Sequence, residues 1–146
     1  MKTLTFFLLV IFSQPFQSLA QSTKIPTLVA SAFHSKYPTA KKVQWKEQSK
    51  EYYVAFNADG FNYVAKYKEN GDWKVTQREI TTALLPGTVK STLAKSEYSD
   101  WAIRSSYSLF LPGMITQYQV ILSTGNNSKS LLFSQDGKLI DDNFTL

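Results

Sequence analysis

Apolar positions change period in the same way in two parts of the chain. Ile25, Leu28, Val29, Ala32 and Phe33 recur at the three- and four-residue steps that line one face of a helix. Pro26 suits an opening turn and Tyr37-Pro38 a stop, which predicts a helix over 26–36. Four short alternating runs follow, near 41–48, 50–57, 61–68 and 72–79, with Asp59-Gly60 and Asn70-Gly71 as tight-turn pairs between them. A weaker helical stripe of Leu85, Val89 and Leu93, diluted by Thr88 and Thr92, predicts a second helix over 86–96. Strands follow near 101–110, 114–123, 129–134 and 138–144, with Asp136-Gly137 repeating the last hairpin turn and a looser connection over 124–128.

The two stretches also match residue by residue. Ile25-Pro26 aligns with Leu85-Pro86, Val29 with Val89, Phe33 with Leu93 and Val43 with Ile103, all at an offset of 60. Tyr52, Val54, Phe56, Tyr67 and Gly71 align with Tyr118, Val120, Leu122, Phe133 and Gly137 at an offset of 66, which places a six-residue insertion around Leu111-Pro112-Gly113. The expected fold class is therefore α+β: a tandem repeat of a helix plus a four-stranded antiparallel meander, the first copy within 21–80 and the second within 81–146, in one compact domain.

On these residues the chain resembles the PepSY-like family of periplasmic repeat proteins, which is similar to beta-lactamase inhibitory protein. The matching motifs are Ile25-Pro26 with Val29 and Phe33, Lys36-Tyr37-Pro38-Thr39-Ala40, Val43-x-Trp45, Tyr52-x-Val54-x-Phe56, Asn70-Gly71-Asp72-Trp73, Leu85-Pro86 and Phe133-x-x-Asp136-Gly137-Lys138-Leu139. They are packing and turn motifs, so the resemblance implies a fold before it implies an activity. It implies two units side by side, helices on one sheet face and a broad opposite face left open to grip a protein. The second copy departs from the pattern, with Glu97-Tyr98-Ser99-Asp100 where the first has Tyr37-Pro38-Thr39-Ala40.

The N-terminus sets the compartment. Lys2, the largely apolar run Leu4–Phe12 and the small residues Ser18 and Ala20 have the layout of a signal peptide over 1–20, cut near Ala20/Gln21. A run of that length falls short of the roughly 20 residues that span a bilayer, so the expected product is periplasmic or secreted, with no stable membrane insertion after cleavage. Cysteine is absent, which removes a disulfide framework, a thiol nucleophile and a lipidated cysteine. The net charge of +5 is small for a protein that neutralises phosphates, so nucleic acid is not an expected partner.

Candidate chemistry is thin. His34 is the single histidine and falls roughly opposite the apolar stripe of its helix, as a solvated residue does. The pairs Asp59/Glu69 and Asp141/Asp142 sit beside turns or near the terminus, and the six glycines are scattered singly. No catalytic residue, metal site or cofactor is expected, and enzyme activity is not. Strand alternation puts Val43, Trp45, Tyr52, Val54, Phe56, Tyr63, Ala65, Tyr67, Trp73 and Val75 under the helix. The opposite face then carries Lys46, Tyr53, Val64, Lys66, Lys74 and Arg78, with Ile121 and Leu132 from the second copy, as the surface for an extracytoplasmic protein or peptide. The expectation is an exported binding protein of the bacterial envelope, as an inhibitor or a sensor accessory. The alternative is a carrier of a small anionic or hydrophobic ligand held between sheet and helices.

Overall fold

The structure, a computed structural model, describes residues 24–146; the signal-peptide reading of 1–20 lies outside them. The elements run α1 (Thr27–Lys36), β1 (Lys41–Gln48), β2 (Glu51–Ala58), β3 (Phe61–Lys68), β4 (Trp73–Ile80), a short 3-10 turn (Thr82–Leu84), α2 (Gly87–Ala94), β5 (Ala102–Leu111), β6 (Ile115–Thr124), β7 (Asn127–Ser134) and β8 (Leu139–Asp141). All strands are antiparallel and join one eight-stranded sheet in sequence order. The two meanders therefore form a continuous surface, welded by β4–β5 pairing from Thr76↔Phe110 to Ile80↔Ser106. Two expected details change. The connection over 124–128 is a tight two-residue turn, with Thr124 paired to Asn127 and Gly125 at φ +54°. The last strand stops at Asp141 instead of continuing to 144.

Both helices lie on the same side of the sheet. Val29 and Phe33 of α1 pack on Tyr52, Val54, Phe56, Ala65 and Tyr67, with Phe33 meeting Trp45 and Phe56 edge-on. Val89 and Leu93 of α2 pack on Val120, Leu122, Leu131 and Phe133. Burying side chains of this size contributes about 1.5–3 kcal/mol each, which exceeds what the intrinsic propensity of two such short helices supplies. Leu28, expected in the buried stripe, is 64% exposed. Its backbone explains why: it rests on the β3–β4 turn, where a Cβ added to Gly71 would lie 3.0 Å from the Leu28 carbonyl oxygen. The β7–β8 turn meets α2 in the same way, and a Cβ at Gly137 would lie 2.6 Å from the Thr88 carbonyl carbon. Thr88 and Thr92 are thus docking residues more than dilutions of an apolar stripe. The Thr92 hydroxyl donates to the Gly137 carbonyl at 2.7 Å, and the Thr88 hydroxyl reaches the Gln135 carbonyl at 3.5 Å.

Bulges decide which side chains face which way. Lys66 pairs with Val75 but Tyr67 pairs with Trp73, so Lys74 is an extra residue without a cross-strand partner. Alternation slips by one beyond it. Val75, expected beneath the helix, lies on the helix-free face opposite Lys66, and Thr76 turns toward the helix, where the Trp73 indole N–H donates to it at 2.9 Å and the Tyr37 hydroxyl shares a hydrogen bond. Arg78, expected on the helix-free face, pairs with Tyr63 on the helix side, its guanidinium 4.9 Å from the Phe61 ring centre and 5.3 Å from that of Phe110. The β5–β6 hairpin is longer than β1–β2, with ten residues per strand against eight and a loop of Pro112–Met114 against the Ser49–Lys50 turn. Its tip exposes Met114 and Ile115.

Gly137→Ala combines a positive φ with an overlap against helix backbone, so it is expected to destabilise by about 3 kcal/mol, whereas Gly60→Ala, at φ +81° with open space around it, costs about 1–2 kcal/mol. Urea melts of the two variants check the difference; equal midpoints would remove the close-approach argument. In the β7–β8 turn the Ser134 hydroxyl donates to Asp136, which holds this carboxyl below its ordinary pKa of 3.8. Its contribution is present above that value and is lost as pH falls through the lower folded-state pKa. The urea midpoints of wild type and Asp136→Asn should accordingly differ at pH 6 and converge toward pH 2.

Candidate functional site

The helix-free face is built by one set of alternating positions. Cross-strand pairs place Gln44, Ala55, Val64, Gln77 and Leu109 in one row from β1 to β5. Lys46, Tyr53, Lys66 and Val75 form a second row, and Tyr107, Gln119, Leu132 and Asp141 a third toward β8. Of the residues predicted for this surface, Lys46, Tyr53, Val64 and Lys66 come together. Ile121 lies on the same side opposite Ser130, farther toward β7. Lys74 is exposed at its bulge, Arg78 is on the other side, and Leu132 is buried.

Two adjoining hollows lie on this face. One, of about 410 Å³, is lined by Lys42, Asn57, Asn62, Gln77, Glu79 and Tyr107 among others; the second, of about 430 Å³, includes Lys46, Gln48, Tyr53, Thr145 and Leu146. Gln44, Ala55 and Val64 form the floor they share. Small and amide side chains in the middle leave the depression, and longer ones at the ends wall it.

Its chemistry is amide-rich and only locally basic. The Lys66 ammonium sits 2.8 Å from the Glu51 carboxylate and 5.2 Å from the centre of the Tyr53 ring. Partial burial pulls down the Lys66 pKa, but hydrogen bonding to Glu51 and Tyr53 outweighs it and leaves the group above its ordinary value of 10.5. Lys66 is therefore charged and already partnered, while Lys42 and Lys46 are exposed. Asn57 donates to Asn62, whose amide donates to Glu79 at 2.9 Å; Gln77 donates to Gln119, whose amide donates to Ser130 at 2.8 Å. Such chains present fixed donors and acceptors, the groups that pair with a peptide backbone.

Sequence reasoning missed the far end of the face. Val75, Leu109 and Leu132 are buried there although no helix covers them; Phe144 and Leu146 do, with Tyr107 and Leu111 at the sides. After β8 the chain turns where the Asn143 amide donates to the Asp141 carboxylate at 2.8 Å, and the Phe144 amide donates to the Ser130 carbonyl at 3.0 Å. The available signal was Phe144 and Leu146 two residues apart, but the expected strand over 138–144 took in Phe144 alone.

No cluster of three or more histidine or acidic side chains placed to hold a metal occurs among the described residues, and His34 is exposed on α1. The Tyr67 hydroxyl is buried without a partner, and burial raises its pKa, so it stays protonated within the core. No helix among the described residues is long and apolar enough to cross a membrane.

Comparison with known proteins places this architecture. A solved structure of a DUF2874 family protein from Bacteroides uniformis superimposes with a TM-score of 0.74 at 25% identity, covering 80% of this chain and 87% of that one. A BLIP-like protein from Bacteroides fragilis gives a TM-score of 0.70 at 25% identity, covering 80% and 84%. A Bacteroides eggerthii protein described as among "putative periplasmic proteins" shares the fold at 22% identity and a TM-score of 0.74, covering 80% and 86%. No curated protein matches. The model of the family described as "Putative beta-lactamase-inhibitor-like, PepSY-like" matches residues 17–61 and 50–141. With a single sheet, two helices on one side and a family match over most of its length, this chain belongs to the PepSY-like family.

Proposed function

We propose that the protein is an exported, non-enzymatic binding protein of the bacterial envelope that engages an extracytoplasmic protein or peptide through its helix-free sheet face. The observation that carries this reading is the hollowed face itself. Its floor combines half-buried Ala55 and Val64 with exposed Gln44, its walls hold aromatic rings and lysines, and its amides are held in side-chain hydrogen-bond chains. A surface meant only to stay soluble gains nothing from ordering amides, whereas one that receives a backbone does. The family's inhibitor-like description and the signal-like composition of residues 1–20 agree with an exported partner-binding role.

We also infer that the two halves, 21–80 and 81–146, are copies of one unit. The order of helix and four strands, the turn glycines Gly71 and Gly137 set against Leu28 and Thr88, and the bulges before Tyr67 and Phe133 support this reading. The copies have diverged toward different tasks, with the open hollows in the first and an occupied apolar patch toward the second. The space that a carrier would use between helix and sheet is filled by Val29, Phe33, Phe56 and Tyr67, so we favour the surface over an interior ligand site.

Capture from periplasmic extract tests the proposal. Immobilised wild type and His34→Ala, which alters the helix side, should retain the same partner, and Tyr53→Ala and Lys66→Glu should each lower its recovery tenfold or more, on the order of 1.4 kcal/mol or above. Undiminished recovery by both face variants, with circular dichroism showing them folded, would refute the assignment of this face.

A further inference from the structure

The buried patch on the helix-free face is flanked by Tyr107 and Leu111 and covered by residues that lie beyond the last strand. Val75, Leu109 and Leu132 come from β4, β5 and β7, and the side chains above them are Phe144 and Leu146. In an extended backbone, side chains two apart point the same way, so a single short segment places an aromatic and an aliphatic group on the patch together. Thr145 and Leu146 continue to the wall of the hollow that contains Lys46 and Tyr53. One four-residue segment therefore bridges the apolar patch and the open part of the face.

Its attachment is uneven. At the exit from β8 the chain is held by the Asp141–Asn143 turn and by Lys129, whose ammonium lies 3.8 Å from the Asp142 carboxylate and 3.4 Å from its carbonyl. Beyond that point, the only backbone hydrogen bond of the segment among the described residues is from the Phe144 amide to Ser130, and Phe144 and Leu146 are only half-buried. A segment that belonged to the core would be sealed on both sides. This one is half-buried and lies on the surface it covers.

We propose that Asn143–Leu146 is an internal stand-in for the partner. The patch of Val75, Leu109 and Leu132 receives an extended peptide carrying an aromatic and an aliphatic side chain two residues apart, and the segment must leave before that peptide enters. This rests on the helix-free face being the binding surface and adds what the surface recognises. A tethered competitor acts at an effective concentration of roughly millimolar, so it lowers the apparent affinity for a matching peptide without changing the seat.

The experiment uses the full chain, its Phe144→Ala/Leu146→Ala variant and a chain ending after Asp142. The probe is a fluorescent synthetic peptide with the sequence of residues 141–146, Asp-Asp-Asn-Phe-Thr-Leu, read by anisotropy. Both altered chains should bind it at least about tenfold more tightly than the full chain, and a peptide with alanine in place of its Phe and Leu should bind none of them. Equal affinity for all three chains overturns the proposal. Loss of folding in both altered chains, seen by circular dichroism, also overturns it, because the segment is then part of the core. Concentration-dependent dimers of the full chain that disappear in both altered chains would assign the seat to a second copy's segment and overturn the peptide partner. If the capture assay with Tyr53→Ala and Lys66→Glu succeeds while the peptide fails here, the face still binds and only the stand-in is wrong.

Discussion

The structure depends on bringing the backbone of each helix into contact with the backbone of a hairpin turn. Gly71 lies under Leu28 and Gly137 under Thr88, and at neither point is there room for a methyl group without movement of main chain. A helix of ten or eight residues has little stability alone, so its position must come from what it touches. The turn fixes the start of each helix, and Phe33 or Leu93 near its other end then falls over the middle strands. Both glycines also have a positive φ, so the residue that makes the turn possible also permits the contact. With both helices committed to one side, the reverse side of the sheet is left to other uses.

Most of this framework was legible because it is periodic. Strands β1 and β3 fall on the expected spans, the others of the first half begin and end within one residue, and the apolar sets of β2 and β3 lie under α1 as alternation requires. What alternation could not show was the bulge at Lys74, because a single unpaired residue leaves no composition signal and reverses every side chain after it. Val75 and Arg78 changed faces for that one reason. Thr88 and Thr92 have a role that periodicity does not show for another reason: their hydroxyls reach carbonyls of the β7–β8 turn, far along the chain.

The candidate site was legible in part. Lys46, Tyr53, Val64 and Lys66 share one face, as alternation implied, because Lys46 pairs with Tyr53 and β2 and β3 pair without interruption from Glu51↔Lys68 to Ala58↔Phe61. The face looked more basic in sequence than it is in space, since Glu51 faces Lys66 across the hairpin and takes up its charge. Leu132 looked like an exposed apolar group for the opposite reason, as nothing local announces that Phe144 and Leu146 turn back over it. Both errors arise from long-range contacts, which single-sequence patterns do not encode.

The surface is therefore mixed in character and not a uniformly basic plate. Exposed lysines and an aromatic ring lie on β1 and β2, hydrogen-bonded amides run from β2 to β6, and the apolar patch of Val75, Leu109 and Leu132 lies on β4, β5 and β7. On the proposed reading, an extended peptide with apolar and polar groups in a fixed order matches this surface better in one orientation than in the other. On the proposed reading, Asn57, Asn62 and Gln77 serve that selection, because they are accessible and already hydrogen-bonded and lose little freedom when a backbone pairs with their remaining groups. Affinity would then come from the apolar end and register from the amides, the same division of labour that lets the helix side use apolar packing for stability and turn hydrogen bonds for placement.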